Sequence, residues 1–171
     1  MNIQAYKEKY PKLFGSDETR TSFTVFGFEC SDGWSTIIDN VFRLLYARYN
    51  SCKSSLDFWQ QQLDKLQSEN TESTEDVAKA RSFVEQYSSE LTQQEEKIPV
   101  IHQVKEKFGT LRIYTSHADD YIRGVIDMAE LLSASTCECC GSAGKLYRQG
   151  WHKTLCVQHA IEKKKINIAD S

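Results

Sequence analysis

CECCGSAGKLYRQGWHKTLCVQHA, residues 137–160, holds the spacing on which the reading of this chain turns. Cys137 and Cys140 form a C-x-x-C pair followed by Gly141, and after fifteen intervening residues Cys156 and His159 form a C-x-x-H pair. Two residues between donors let a tight turn or one helical turn aim both at a single ion, and thiolate with imidazole is the donor set of tetrahedral zinc. Glycine after the first pair suits a positive-φ turn whose amides face the sulfurs. Cys139 leaves a C-x-C alternative open beside Cys140, and His152 is a fifth possible donor, placed on an extended arm where a surface or packing role explains it better.

Between the pairs, Lys145 to Arg148 and His152 to Leu155 read as short extended runs turning through Gln149, Gly150 and Trp151. Good helix formers follow from Ala160, which places Cys156 and His159 three apart on one face of a helical turn. Knuckle, hairpin and ligand-bearing helix in that order resemble a treble clef.

Outward from this module, the net charge of −3 is unevenly divided. From Gly141 onward six basic residues, Lys145, Arg148, Lys153, Lys163, Lys164 and Lys165, face two acidic ones, giving +4 and leaving −7 on the first 140 residues. Those six are the candidate contacts for nucleic acid or an acidic partner surface; solvated lysines, and cations complementing the end of the last helix, are the plainer explanation.

The region before the module alternates helical and extended patterns. Gln4 to Lys9 reads as a short helix stopped near Pro11. Phe23, Val25, Phe26 and Phe28 are too apolar for an exposed loop and are expected to lie against the core as irregular or extended chain, with Ser31 or Asp32 capping the next helix. That helix, about Gly33 to Tyr49, carries Trp34, Ile37, Ile38, Val41, Leu45 and Tyr49 at spacings of three and four. From about 54 to 97 the chain is polar, without proline or glycine, and broken at SENTEST. Its narrow apolar stripes, Leu56, Trp59, Leu63 and Leu66, then Val77, Ala80, Val84, Tyr87 and Leu91, predict an inserted, projecting antiparallel helical hairpin, a partner-binding or homo-oligomerising arm unless it merely faces solvent.

Pro99 ends the helices, and Val100, His102 and Val104 followed by Leu111 and Ile113 predict two strands turning between Lys105 and Thr110. Cations and aromatics interleave here, a pattern of single-strand nucleic-acid binding and equally of any half-buried hairpin. Ser116 to Ser133 reads as an amphipathic helix, with Tyr121, Ile122, Val125, Ile126, Ala129 and Leu132 as its buried stripe, running straight into the knuckle.

The expected fold is therefore α+β: a mainly helical body over 1–136 with a small β-hairpin and the inserted helical pair, and a treble-clef-like zinc module over 137–165 packed on it. Apolar content of 40% argues against a disordered chain, and no stretch has the length and apolarity of a membrane span. The absence of a leader-like segment points to a reducing cytoplasm, with Cys30 and Cys52 as buried free thiols.

FECSDGWSTIIDN, VKEKFGTLRIY and AELLSASTCECCGSAGKLYRQGWHKTLCVQHA together resemble a family of small, largely uncharacterised bacteriophage and prophage proteins. The resemblance implies a bacterial host cytoplasm and carries no catalytic residues. The sequence has no nucleophile elbow, phosphate loop or paired-histidine helix, and four strong donors leave a zinc ion no open position. A carboxylate group of Glu29, Asp32 and Asp39 is better explained by capping and surface exposure. The expected function is a non-enzymatic zinc-stabilised interaction protein that binds and modulates, for instance inhibits, a host protein such as a bacterial defence component; the alternative is a nucleic-acid-binding accessory protein using the basic zinc module.

Overall fold

The computed structural model describes residues 1–68 and 74–166. Its contacts divide the chain into two compact units, Met1–Leu45 together with Pro99–Ser171, and Tyr46–Ile98. The fold is α+β, mostly helical with a small mixed sheet. No described helix is long and apolar enough to cross a membrane.

The first unit opens with α1 (Ile3–Lys9), capped by the Asn2 side chain, and a 3-10 turn over Pro11–Phe14. The apolar run at 23–28 is not extended as expected. Thr21 forms a capping box with Thr24, so Ser22–Phe26 winds into the short helix α2 before β1 (Phe28–Glu29). A helical turn cannot face all four apolar side chains inward: Phe23 is buried, whereas Val25 and Phe26 are exposed. Phe23, Phe28 and Phe42 form a cluster of tilted and edge-on rings with Tyr6 and Tyr10, and this is the core of the unit's N-terminal half.

A 3-10 turn at Asp32–Trp34 leads into α3 (Ser35–Ser68), which does not stop at Tyr49. The polar stretch Asn50 to Ser55 contains neither glycine nor proline, its residues lower helix propensity only by fractions of a kcal/mol, and buried Cys52 carries the apolar stripe across it. Neither Ser31 nor Asp32 caps this turn by a side-chain bond; the Ser31 hydroxyl has a distant partner described below.

β2 (Ile101–Lys107) pairs in parallel with β1, Phe28 opposite Val104, and antiparallel with β3 (Thr110–Thr115). An irregularity between Ile101 and Gln103 shifts the alternation, so Ile101 and Val104 are buried while His102 faces out, unlike the expected Val100, His102, Val104 face. The turn is also tighter than expected, with Phe108 and Gly109 alone between the strands. α5 (Asp120–Ser133) begins four residues later than its pattern suggested, because the Asp119 carboxylate caps it by accepting from the Ile122 amide at 2.8 Å. Only Ile122 and Ala129 of its expected stripe are fully buried; Tyr121 and Leu132 are exposed.

Within the second unit, the remainder of α3 runs beside α4 (Thr74–Lys97). The Cys52 thiol donates to the Tyr87 carbonyl and Trp59 stacks on Phe83 at 4.3 Å, so residues advancing on one helix meet residues receding on the other, an antiparallel pair. Phe83 was not in the predicted stripe. The SENTEST break falls largely on 69–73, outside the described residues.

The chain ends in β4 (Lys145–Tyr147), β5 (Lys153–Leu155) and α6 (Val157–Glu162), the two strands antiparallel with Leu146 opposite Thr154.

Candidate metal centre

The turn after α5 is built to converge its sulfurs. The Cys137 amide donates to the Ser142 carbonyl at 2.7 Å and the Gly141 amide to the Cys137 carbonyl at 2.9 Å, closing a knuckle around Cys137 and Cys140. Gly141 has φ of 78°, a conformation that disfavours any side chain. Cys156 occupies the N-cap of α6 and its carbonyl accepts from the Ala160 amide, which turns His159 back over the same point.

Cys137, Cys140, Cys156 and His159 thereby present one donor atom each within 4.8 Å of one another, a grouping that could hold a metal ion. Two of the edges match a tetrahedral site, and the edge from Cys156 to His159 is shorter. Bonds of about 2.3 Å to sulfur and about 2.0 Å to nitrogen give sulfur–sulfur edges of about 3.8 Å and sulfur–nitrogen edges of about 3.5 Å. Cys140 Sγ and Cys156 Sγ are 3.8 Å apart, and His159 Nδ1 lies 3.6 Å from Cys137 Sγ and 3.1 Å from Cys156 Sγ. The opposite ring atom, Nε2, faces the Glu162 carboxylate at 3.8 Å, the type of outer partner that orients a ligating imidazole. All six cysteines are free thiols. The hydroxyl and then the amide of Ser142 donate to Cys140, and with its thiol neighbours they hold it down at about 6.

Cys139 lies outside the cluster and packs, with Cys156 and Ile166, against buried Cys137, Tyr147, Leu155 and Ala160. His152 also stands apart, its ring 6.3 Å from that of Phe108. Cys52 is buried and Cys30 half-buried, where desolvation above all pushes the Cys30 thiol up to about 12.

The knuckle is seated on residues far away in sequence. The Gly33 amide donates to the Glu138 carbonyl at 2.8 Å, and the Trp34 indole to the Thr136 carbonyl at 2.8 Å. A Cβ at Gly33 would stand 2.3 Å from the Cys137 carbonyl oxygen and 2.6 Å from the Cys140 nitrogen, so only glycine admits this approach. Glu138, between the first two cysteines, is 2% exposed. One of its oxygens accepts from the Ser31 amide and hydroxyl, both at 3.2 Å, and the other from Lys153 Nζ at 2.7 Å. Lys153 also reaches Glu106 of β2 at 3.2 Å, and Glu106 further accepts from the Gly109 amide at 2.7 Å and the Trp151 indole at 2.9 Å. Burial alone would raise Glu106, but the Trp151, Gly109 and Lys153 donors outweigh it and leave the carboxyl below its ordinary value. Desolvation would lower Lys153, but Glu138 and Glu106 outweigh it and hold the ammonium form.

The six basic candidates are thus divided. Lys153 is turned inward between two carboxylates, and Lys165 Nζ donates to the Gln149 and Trp151 carbonyls at 2.7 Å each. Lys145 lies over the Tyr147 ring, while Arg148, Lys163 and Lys164 are exposed. Glu29 bonds Gln103, and Asp39 bonds Lys9 and Tyr10, which accounts for both without a shared carboxylate site. The residues missed from sequence are Ser31, Gly33, Glu106 and Glu138. The one signal for them was an acidic residue placed inside the cysteine knuckle. Compared with models of protein families, with curated protein sequences and with solved structures, the chain matches none.

Proposed function

We propose that Cys137, Cys140, Cys156 and His159 hold a structural zinc ion, and that the chain is a non-enzymatic interaction protein whose partner is another protein. Three sulfurs and one imidazole nitrogen converging within 4.8 Å of one another favour zinc over metals that prefer oxygen or planar ligation. Four protein donors fill the tetrahedron, so the ion fastens the knuckle, hairpin and α6 together without offering a place to substrate or water. In keeping with the resemblance to phage proteins, the partner in this reading is a host protein in the bacterial cytoplasm, a defence component being one kind.

The observation that carries the choice of a protein partner is a groove of about 470 Å³ between α3 and α5 within the first unit. Ile37, Val41 and Leu44 form one wall, and Tyr121, Met128 and Leu132 the other. Gly124 lies in the groove, and a Cβ there would meet nothing within 4 Å. Adaptable methionine and leucine side chains lining a groove between two helices suit the apolar face of an amphipathic helix. Asp127, on one flank of α5, favours lysine or arginine on that incoming helix; Asp120, seven residues before it, is paired with Arg123 at 2.8 Å.

Gly124→Trp is the test, because it fills the groove from an exposed helical position without touching the metal cluster. Nuclease-treated bacterial lysate is passed over immobilised wild type and variant, and site-specific crosslinking from Met128 identifies the contacting segment. The reading expects a protein crosslinked through a basic amphipathic helix and lost with Gly124→Trp. Crosslinking to no protein, or equal capture by the variant, overturns it.

A further inference from the structure

Two turns of the first unit lie side by side: Phe108–Gly109 between β2 and β3, and Gln149–Trp151 between β4 and β5. Phe108 is 66% exposed and Trp151 71% exposed. Phe108 and Gly109 have φ of 54° and 83°, both positive, as a two-residue hairpin turn of the primed type requires. Asparagine, aspartate or glycine normally takes the first of these positions, since a bulky side chain there is sterically opposed. Phenylalanine accepts that opposition and then leaves its ring in solvent, so folding does not account for it.

The turns that carry both rings are nevertheless held in place. Glu106 ties the turns together through the Gly109 amide and the Trp151 indole. The Thr154 hydroxyl donates to the Gly109 carbonyl at 2.6 Å, and Lys165 pins the carbonyls of Gln149 and Trp151. His152 backs Phe108. Because its N–H is already donated to Glu106, Trp151 has a ring surface to offer rather than a hydrogen bond.

The surrounding charge has one sign. Residues 101–115 and 145–155 contain six basic residues and a single acidic one, Glu106, whose side chain is 7% exposed. Arg112 is paired with Glu130 and Lys153 faces inward, which leaves Lys105, Lys107, Lys145 and Arg148 as the cations of these hairpins. Lys107 Nζ sits 5.6 Å from the centre of the Phe108 ring.

We propose that Phe108 and Trp151 form a stacking platform for single-stranded nucleic acid, with Lys107 and Arg148 taking phosphates. Exposed, immobilised aromatic faces flanked by cations provide base stacking without sequence readout, and every base has a face to stack. A protein contact of this kind would ring its aromatic anchors with apolar neighbours that exclude water, whereas Lys107, Arg148 and Gln149 adjoin these two. This platform goes beyond the protein-partner reading and shares no residue with the α3–α5 groove.

The test uses the full-length, zinc-loaded chain and a fluorescein-labelled thymidine oligomer of about fifteen nucleotides, read by anisotropy. Phe108→Asn is the informative variant, since asparagine suits the positive φ: it is expected to keep or raise the melting temperature while weakening binding about tenfold or more. Trp151→Leu is expected to weaken binding similarly and to abolish the tryptophan quenching that accompanies stacking. A duplex of the same length and heparin are expected to bind more weakly than the single strand. No binding below about 100 µM, equal affinity of Phe108→Asn and wild type, or preference for duplex or heparin overturns the proposal. Loss of a crosslinked protein partner in Phe108→Asn, without oligomer binding by wild type, assigns the patch to protein and also overturns it.

Discussion

Replacing Lys153 by methionine removes one ammonium group and leaves two carboxylates facing its place, which makes it the sharpest probe of how the metal module is attached. Lys153 Nζ stands 2.7 Å from Glu138 and 3.2 Å from Glu106, and the two side chains are 3% and 7% exposed. Breaking a buried pair by removing one partner costs about 3–5 kcal/mol, because the remaining charge has lost both water and counterion. The two carboxylates do not suffer equally. Glu106 keeps the Gly109 amide and Trp151 indole, whereas Glu138 keeps only the Ser31 donors, on its other oxygen. The penalty is therefore about 3–5 kcal/mol at pH 7. Urea denaturation of the zinc-loaded variant against wild type at pH 7 measures it; the thermal midpoint at pH 7 should fall by about 10 °C. Adding Glu138→Gln, which removes the charge and keeps an acceptor for Ser31, should restore most of the loss. A loss below about 1 kcal/mol at pH 7, or no recovery on adding Glu138→Gln, would refute the reasoning.

Two further outcomes concern the same assembly. Cys156→Ala, or chelation of the wild type, is expected to unfold at least residues 137–160, since structural zinc contributes on the order of 10 kcal/mol to small modules; hydrogen exchange resolved along the chain reads the loss, and purified protein without stoichiometric zinc contradicts the site. The Glu106–Lys153 pair also sets a pH window. Glu106 is held below its reference value of 4.5, so its contribution is lost as pH falls through the lowered value. Lys153 is held above 10.5, so its contribution is complete below that and lost as pH rises past it. The stability difference between wild type and Lys153→Met, followed by urea titration from about pH 7 upward, should stay level to about 10 and then fall; a decline beginning near pH 8 contradicts the assignment.

The metal cluster was legible because its determinants are local: two short spacings, a glycine and a hairpin-length gap, each testable without knowing the rest of the fold. Apart from Ser22–Phe26, helices were legible in type but not in extent. Asn50 to Ser55 looks like a break only if polarity is taken for a stop, and nothing in those six residues forbids another turn of helix. Phe26 shows the limit of hydrophobicity as a guide, for a capping box at Thr21 decided the local conformation and turned that ring outward. The seating of the knuckle was illegible for a different reason. Ser31 and Glu138 are 107 residues apart, and no periodicity connects a serine in one turn with a carboxylate in another. Lys153 illustrates the cost of counting charges: as a letter it belonged to a basic surface, and in space it lies between two acids.

β1 and β2 lie parallel although Phe28 and its partner Val104 are 76 positions apart, so chain diffusion must bring distant segments together before this pair can form. The entropy of closing so long a loop is about 4 kcal/mol by the logarithmic scaling. Residues 46–98 form an antiparallel pair of helices from neighbours in sequence, and once paired they remove most of that loop from the search. The remaining closure is cheaper by about 1 kcal/mol, roughly a sixfold gain in rate. A segment that contributes nothing to the metal cluster can thus hasten the meeting of the two stretches of chain that make up the first unit and seat the knuckle.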